Sequence, residues 1–163
     1  MNSPDSGAAA VELIIPMLAE YVGTARLVAG GVANRMGFNI DLLEDIQLCL
    51  SEVCNRIINE LGNRSQESGV RCRIAFIPLE DSLRIDFYID GADAPLLFTP
   101  DADRAEDADG PGGRSRTMLG ERLDEREIAE VMRIAFLDEF MDEYIVNPGG
   151  GRIVSMIKSK NEE

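Results

Sequence analysis

The sequence predicts an α+β fold: a two-layer sandwich in which a mixed, mostly antiparallel sheet carries three helices on one face. Two long segments with helical apolar spacing follow one short apolar strand, two alternating segments then predict a hairpin, and a third helix and two strands end the chain. A length of 163 residues suits one domain without disulfides or metals. We therefore expect a flexible N-terminus over residues 1–10 and a single domain over residues 11–160.

The first elements are a strand and a helix. The apolar segment 11–16 predicts a strand that ends at a proline, which cannot donate to a sheet ladder. Apolar residues then recur every three or four positions from about Leu18 to Met36, which predicts a helix that Gly37 is placed to end. Gly30 and Gly31 each cost a helix roughly 1 kcal/mol against alanine. Close packing would explain them.

A second helix is predicted to begin at Asn39 or Asp41, either of which can act as its N-cap, and to reach about Leu61. Its apolar stripe consists of Ile46, Leu50, Val53, Ile57 and Leu61. Segments 70–76 and 83–89 then alternate apolar and polar residues on either side of a turn. They predict a hairpin with one buried face.

The rest of the chain consists of an acidic segment followed by a helix and two strands. The segment at about 91–122 is acidic and glycine-rich, with too little apolar content to pack, and we expect a mobile loop there. A third helix is predicted to begin near Asp124, where a capping-box pattern starts, and to run toward Phe140. Two strands, 144–146 and 152–157, end the chain around a glycine-rich turn.

Composition excludes several classes of function. The net charge of −14 opposes binding to nucleic acid and anionic membranes, and no apolar run approaches the roughly 20 residues that cross a bilayer. With no histidine, a Ser-His or Cys-His nucleophile pair is excluded. Cys49, Cys54 and Cys72 lie within apolar patterns, which indicates reduced core thiols. The N-terminus lacks a secretory pattern, so we expect a cytoplasmic protein.

The second predicted helix has a polar edge beside its apolar stripe. Four polar residues fall there within about 100° of arc, at about 100° per residue: Glu52, Asn55, Arg56 and Asn59. One interpretation is an ordinary solvated helix face. The other is a pocket lined by a carboxylate base with amide neighbours.

Two groups of motifs carry a family resemblance: Glu20 to Leu27, Val32 to Phe38, Leu43 to Ile46 and Leu50 to Cys54 in the first half, and Leu137 to Glu143 with Val154 to Lys158 at the end. They resemble the RsbW/SpoIIAB family of anti-sigma factor serine-protein kinases, which have a GHKL-type ATPase fold. The resemblance implies a Bergerat-type ATP site and phosphorylation of a serine in an anti-anti-sigma protein. It also implies a homodimer that sequesters a sigma factor.

The family's catalytic helix is only partly matched. There a glutamate acts as general base, and an asparagine four positions later holds magnesium. Glu52 matches the glutamate, but Arg56 replaces the asparagine, and a guanidinium has no lone pair for a metal. Asn55 or Asn59 would offer an amide instead, with Asn55 as the candidate magnesium ligand. Otherwise we expect no metal site.

The other two family boxes are altered as well. When Gly91 is matched to the Asp-x-Gly box, the adenine-binding aspartate becomes Ile89, which has no acceptor. Asp90 is adjacent but points to the opposite strand face unless a bulge intervenes. The phosphate-binding Gly-x-Gly falls on residues 131–133, whose side chains block a close backbone approach. A gapped match would recruit glycines of the acidic segment instead.

Arg26 occupies the position of an arginine that SpoIIAB-like proteins use against their sigma factor. It is either a solvated helix residue or an interface anchor. The resemblance and the altered boxes together predict a homodimeric regulator that binds a sigma factor or an anti-anti-sigma protein without a cofactor. Two alternatives remain: an active serine-protein kinase that uses ATP and magnesium, and a scaffold or oligomerisation module that keeps only the fold.

Overall fold

A computed structural model describes residues 9–62, 69–90, 137–149 and 151–161. In these ranges a five-stranded sheet packs against helices, which confirms the predicted α+β class. The strands are β1 (Val11–Pro16), β2 (Arg71–Pro78), β3 (Ser82–Asp90), β4 (Glu143–Gly149) and β5 (Arg152–Ser159). They are arranged in the order β1-β2-β3-β5-β4, and each neighbouring pair is antiparallel.

Three predictions fall largely on residues outside those ranges. They are the flexible N-terminus, the mobile acidic loop at about 91–122 and the start of the third helix near Asp124. Residues 137–140 are helical, as the prediction for the end of that helix requires. Within the described ranges no helix combines the length and apolar content needed to cross a bilayer.

Helix α1 (Val22–Arg35) packs against helix α2 (Ile40–Leu61). α1 begins later than predicted, because Ala19–Tyr21 form a 3-10 turn before it. A Cβ at Gly30 would lie 2.6 Å from Nε2 of Gln47, so this glycine lets the two helices approach closely. At Gly31 a Cβ would meet open space. Internal packing therefore explains Gly30 but not, among the described residues, Gly31.

The ends of the helices follow local chemistry. Asn39 is the N-cap of α2, because its Oδ1 accepts a hydrogen bond from the backbone N–H of Leu42 at 2.9 Å. Gly37 follows α1 with a φ of 85°, a conformation that glycine adopts readily. The prediction for Gly37 is thus confirmed, and Asn39 rather than Asp41 is the cap.

One core fills the space between the helices and the sheet. It is formed by alternate strand residues together with the apolar stripe of α2 and small residues of α1. Its largest fully buried side chains are Phe76, Phe87, Met17, Leu42, Ile46, Leu50, Ile57, Ile74, Leu83, Ile85 and Met156. Burying each such side chain contributes roughly 1.5–3 kcal/mol, so this core, shared by the sheet and the helices, provides most of the driving force for folding.

Candidate functional site

The polar edge of α2 divides into residues with different exposure. Glu52 is half-buried, and Asn55 and Asn59 are exposed. Arg56 is buried, with only 4% of its surface exposed. The spacing that places these side chains along one helix edge does not make them equivalent, because only Arg56 extends into the protein. The predicted pocket of a carboxylate with two amide neighbours is therefore dominated by a guanidinium.

Arg56 is held by a carboxylate one helical turn away. Its Nε lies 3.2 Å from Oε1 of Glu60, which is itself about one third exposed. A guanidinium cannot lose its proton at ordinary pH, so this position carries a permanent positive charge. A second cation beside it would be repelled in a poorly solvated environment. The residues present do not fit a magnesium ion at this position.

The described residues do not form a metal site elsewhere either. No group of three or more histidine, cysteine, aspartate or glutamate side chains is suitably arranged within them. Cys49, Cys54 and Cys72 are free and buried, as predicted. Burial raises the pKa of the Cys49 thiol to about 12, with Asp45 and Glu52 adding to the rise and Lys158 opposing it. The thiols are therefore protonated core residues rather than nucleophiles.

The end of β3 separates Ile89 from Asp90. Ile89 packs against the core, whereas Asp90 is exposed and pairs in register with Arg71 of β2. The β2–β3 register has no shift along this stretch, and the shift on the other side of β3 lies between β3 and β5 at Phe87/Tyr88. Asp90 thus does not share the face of Ile89. Gly91 and residues 131–133 lie outside the described residues.

The exposed side of α1 combines a cation with an apolar side chain. Arg26 is exposed, and the neighbouring Leu27 is 75% exposed. The carbonyl of Arg26 accepts a hydrogen bond from Nε2 of Gln47 at 2.9 Å. Gln47 therefore packs over Gly30 and fixes the backbone at Arg26. Periodicity did not identify this role of Gln47, since the contact joins residues 21 positions apart.

Two more polar groups were missed because they depend on contacts between elements. Lys158 of β5 is buried, and its Nζ donates to the Phe140 carbonyl at 2.6 Å and lies 3.5 Å from Oδ2 of Asp45. It thereby joins β5, α2 and the helical turn at 137–140. Asp86 was predicted on the polar face of the hairpin, yet it is almost fully buried there. A buried charge within an alternating strand gives no signal in periodicity.

Known proteins are similar to this chain along both the helices and the sheet. Residues 15–158 match the family described as the histidine kinase-like ATPase domain. The serine-protein kinase RsbW of Bacillus velezensis is 32% identical over 153 residues, which cover 94% of this chain and 87% of that protein. RsbW of Bacillus subtilis is 31% identical over the same shares. RsbW of Oceanobacillus iheyensis is 41% identical over 75 residues, or 46% of each chain.

Proposed function

Because this chain belongs to the histidine kinase-like ATPase domain family and is similar to RsbW serine-protein kinases over most of its length, we propose that it is a partner-switching regulator that acts through protein binding rather than ATP turnover. Its partner would be a sigma factor or an anti-anti-sigma protein, and its working form a homodimer. The observation that carries the proposal is the buried Arg56, ion-paired with Glu60, at the position where the resemblance implies a magnesium ligand.

The Arg56 guanidinium argues against phosphoryl transfer because it cannot coordinate the magnesium ion that this reaction uses. Phosphoryl transfer depends on positioning and on neutralising the charge of the triphosphate, which kinases achieve with magnesium. Arg56 supplies a positive charge but no ligand for the metal. Glu52 could still accept a proton. Without a positioned phosphate, however, removing a proton from a serine hydroxyl would not lead to phosphoryl transfer. The end of β3 adds to this argument, because Ile89 has no acceptor for an adenine amino group.

The exposed side of α1 supports a protein-binding role. Leu27 places an apolar side chain in solvent beside the Arg26 guanidinium, and arginine is enriched among the residues that dominate binding energies. Gly31 lies one turn beyond Leu27, where a partner backbone would approach without meeting a side chain. Because Gln47 fixes the backbone at Arg26, this surface needs little reorganisation on binding.

The second candidate is an active serine-protein kinase. It is favoured by the relatives, since two serine-protein kinases match 94% of this chain at 31–32% identity. It also uses Glu52, which is half-buried on α2 as a general base would be. In this candidate ATP would bind with magnesium through residues other than Arg56. A scaffold that keeps only the fold is the third possibility, and it would show self-association alone.

Calorimetric titration of the purified protein with ATP and ADP, with and without magnesium, separates the two leading candidates. We expect no saturable binding up to millimolar nucleotide, and Arg56→Asn is the matched variant because it restores an amide at that position. Saturable magnesium-dependent binding by the unaltered protein would overturn the proposal in favour of the kinase. Glu52→Ala should then abolish phosphorylation of an anti-anti-sigma protein.

The partner arm of the same experiment titrates purified sigma factors and anti-anti-sigma proteins from the same organism. Arg26→Ala should weaken the partner's binding by about tenfold or more, as expected for an interface anchor. Arg35→Ala is the control, since Arg35 is also exposed on α1 but lies about 180° around the helix. Equal effects of both substitutions, or self-association without any partner, would contradict the proposed use of α1.

A further inference from the structure

The outer face of the sheet, which lies away from the helices, carries a cluster of interacting charged and aromatic side chains. We call it the outer-face cluster: Arg73, Arg84, Asp86, Tyr88, Arg152 and Ser155. The register places Asp86 opposite Ser155, and Tyr88 opposite both Arg73 and Arg152. The cluster thus extends over the three central strands of the sheet.

Asp86 forms the floor of the cluster and is only 1% exposed. Its Oδ1 accepts a hydrogen bond from the Ser155 hydroxyl at 2.6 Å. Its Oδ2 lies 3.3 Å from Nε of Arg84 and 3.9 Å from Nη1 of Arg152. A carboxylate this deeply buried requires compensating cations, and it in turn holds the two guanidinium groups over the sheet.

Arg84 has a donor that this arrangement leaves unused. Its Nε is buried and makes no hydrogen bond within the described part of the chain, although it lies near Asp86. Buried donors without acceptors are rare and costly in folded proteins. Its ion pair with Asp86 offsets part of this cost and fixes the guanidinium, so a ligand would meet the other nitrogens of Arg84 rather than Nε. Arg84 itself is one third exposed, so a ligand can reach the rest of its guanidinium.

Arg73 is held in place from two sides. Its guanidinium carbon lies 3.9 Å from the centre of the Tyr88 ring, and its Nη1 donates to Oε1 of Glu12 at 2.9 Å. A guanidinium has five N–H donors in a planar fork that matches a carboxylate. Stacking fixes the plane of this fork before any ligand binds, which lowers the entropy lost on binding.

We propose that the outer face of the sheet docks an acidic segment of a protein partner, whose carboxylates pair with Arg73 and Arg84. Bidentate pairing with carboxylates is among the strongest interactions of guanidinium groups. Exposed Ile14 and Ile145 on the two edge strands supply apolar contacts that would flank it. The net charge of −14 opposes every anion, so only the local arginines attract the acidic segment, and a nucleic acid with a charge on each phosphate is repelled more strongly than a short peptide.

This surface is separate from the one proposed on α1. The helices pack on the core face of the sheet, and the outer-face cluster lies on the other. Two partners would therefore be able to bind at once without overlapping. The inference does not rest on the proposed function, since it holds whether or not the protein turns over ATP.

The test titrates a short synthetic peptide of alternating glutamate and leucine into isotope-labelled protein and follows amide and arginine Nε–Hε signals by NMR. We expect saturable shifts confined to the strands of the sheet and largest on β2, β3 and β5, and binding that weakens as salt is raised. Arg73→Ala and Arg84→Ala should each weaken binding by about tenfold, as expected for one lost charge-assisted pair. Arg35→Ala, on α1, is the matched control and should leave the affinity unchanged.

Several outcomes would overturn the proposal. They are an absence of saturation at millimolar peptide, shifts on α1 or α2 instead, or equal weakening by Arg35→Ala. Tighter binding of single-stranded oligothymidylate to the same strands would replace the acidic partner with a nucleic acid. Arg73→Ala leaves the contacts of Asp86 intact, so it reports on binding even where Arg84→Ala lowers stability.

Discussion

The two faces of the sheet bury their residues by different means. On the core face, Phe76, Phe87 and Met156 pack against the helices and need no specific partner to be stable there. On the outer face, Asp86 is equally buried but depends on Ser155 and two arginines at defined distances. Asp86 and Phe87 are adjacent on β3, yet Phe87 is stabilised by apolar packing and Asp86 by specific polar partners. The core face tolerates apolar replacements of similar volume, whereas the outer face depends on direction and charge.

The largest difference between the faces should appear when one large side chain is removed from each. Phe87→Ala should lower the free energy of unfolding by about 3–5 kcal/mol, because it leaves a cavity in a closed core. Tyr88→Ala, one residue along on the outer face, should cost less than about 1 kcal/mol. Urea denaturation measures both. Similar losses would mean that the outer face is packed as tightly as the core.

A smaller effect is expected from removing the buried Asp86 carboxylate of the outer-face cluster. Asp86→Ala should lower the free energy of unfolding by about 2 kcal/mol, since Arg84 and Arg152 each lose an ion pair with Asp86 but can turn toward water. Ser155→Ala removes one hydrogen bond and should cost about 1 kcal/mol. If Asp86→Ala leaves stability unchanged or raises it, the free energy lost in burying the carboxylate is at least as large as the free energy gained from its ion pairs and hydrogen bond.

The smallest effect concerns pH and the core thiols. Burial raises the pKa of Cys54 to about 12 from an ordinary value of 9.0. Between those values the unfolded chain loses this proton and the folded protein keeps it, so stability is full below about pH 9 and falls as pH rises toward 12. From pH 8 to pH 10, the unaltered protein should lose about 1 kcal/mol more than Cys54→Ala. Equal losses would mean that the thiol ionises readily in the fold.

Much of the fold was predictable because its signals are local. The alternation of 83–89, the N-cap at Asn39 and the position of Gly37 depend on residues a few positions apart, and the structure confirms each. The family resemblance read from the motifs is confirmed by the match over residues 15–158. Homodimer formation, the role of Arg26 and independence from ATP stay predictions.

The candidate site was less predictable, because its features depend on contacts between distant residues. Periodicity placed Arg56 on a polar edge with Asn55 and Asn59, but only Arg56 is buried. Gly30 and Gly31 are adjacent in the chain, yet only Gly30 lies beneath Gln47. Neither distinction has a signal within one element, since each arises from how helices are oriented and packed.

By itself the sequence determined the fold class, the order of the elements, the face of each strand that is apolar, and the family, because all of these follow from short-range patterns of residue type. Only the tertiary structure decided which polar residues are buried and what holds them: Arg56 with Glu60, Lys158 with Asp45, and Asp86 with Ser155. The physical reason is that a charge becomes stable inside a protein only through partners at hydrogen-bonding distance, and most of those partners are supplied by other elements of the chain.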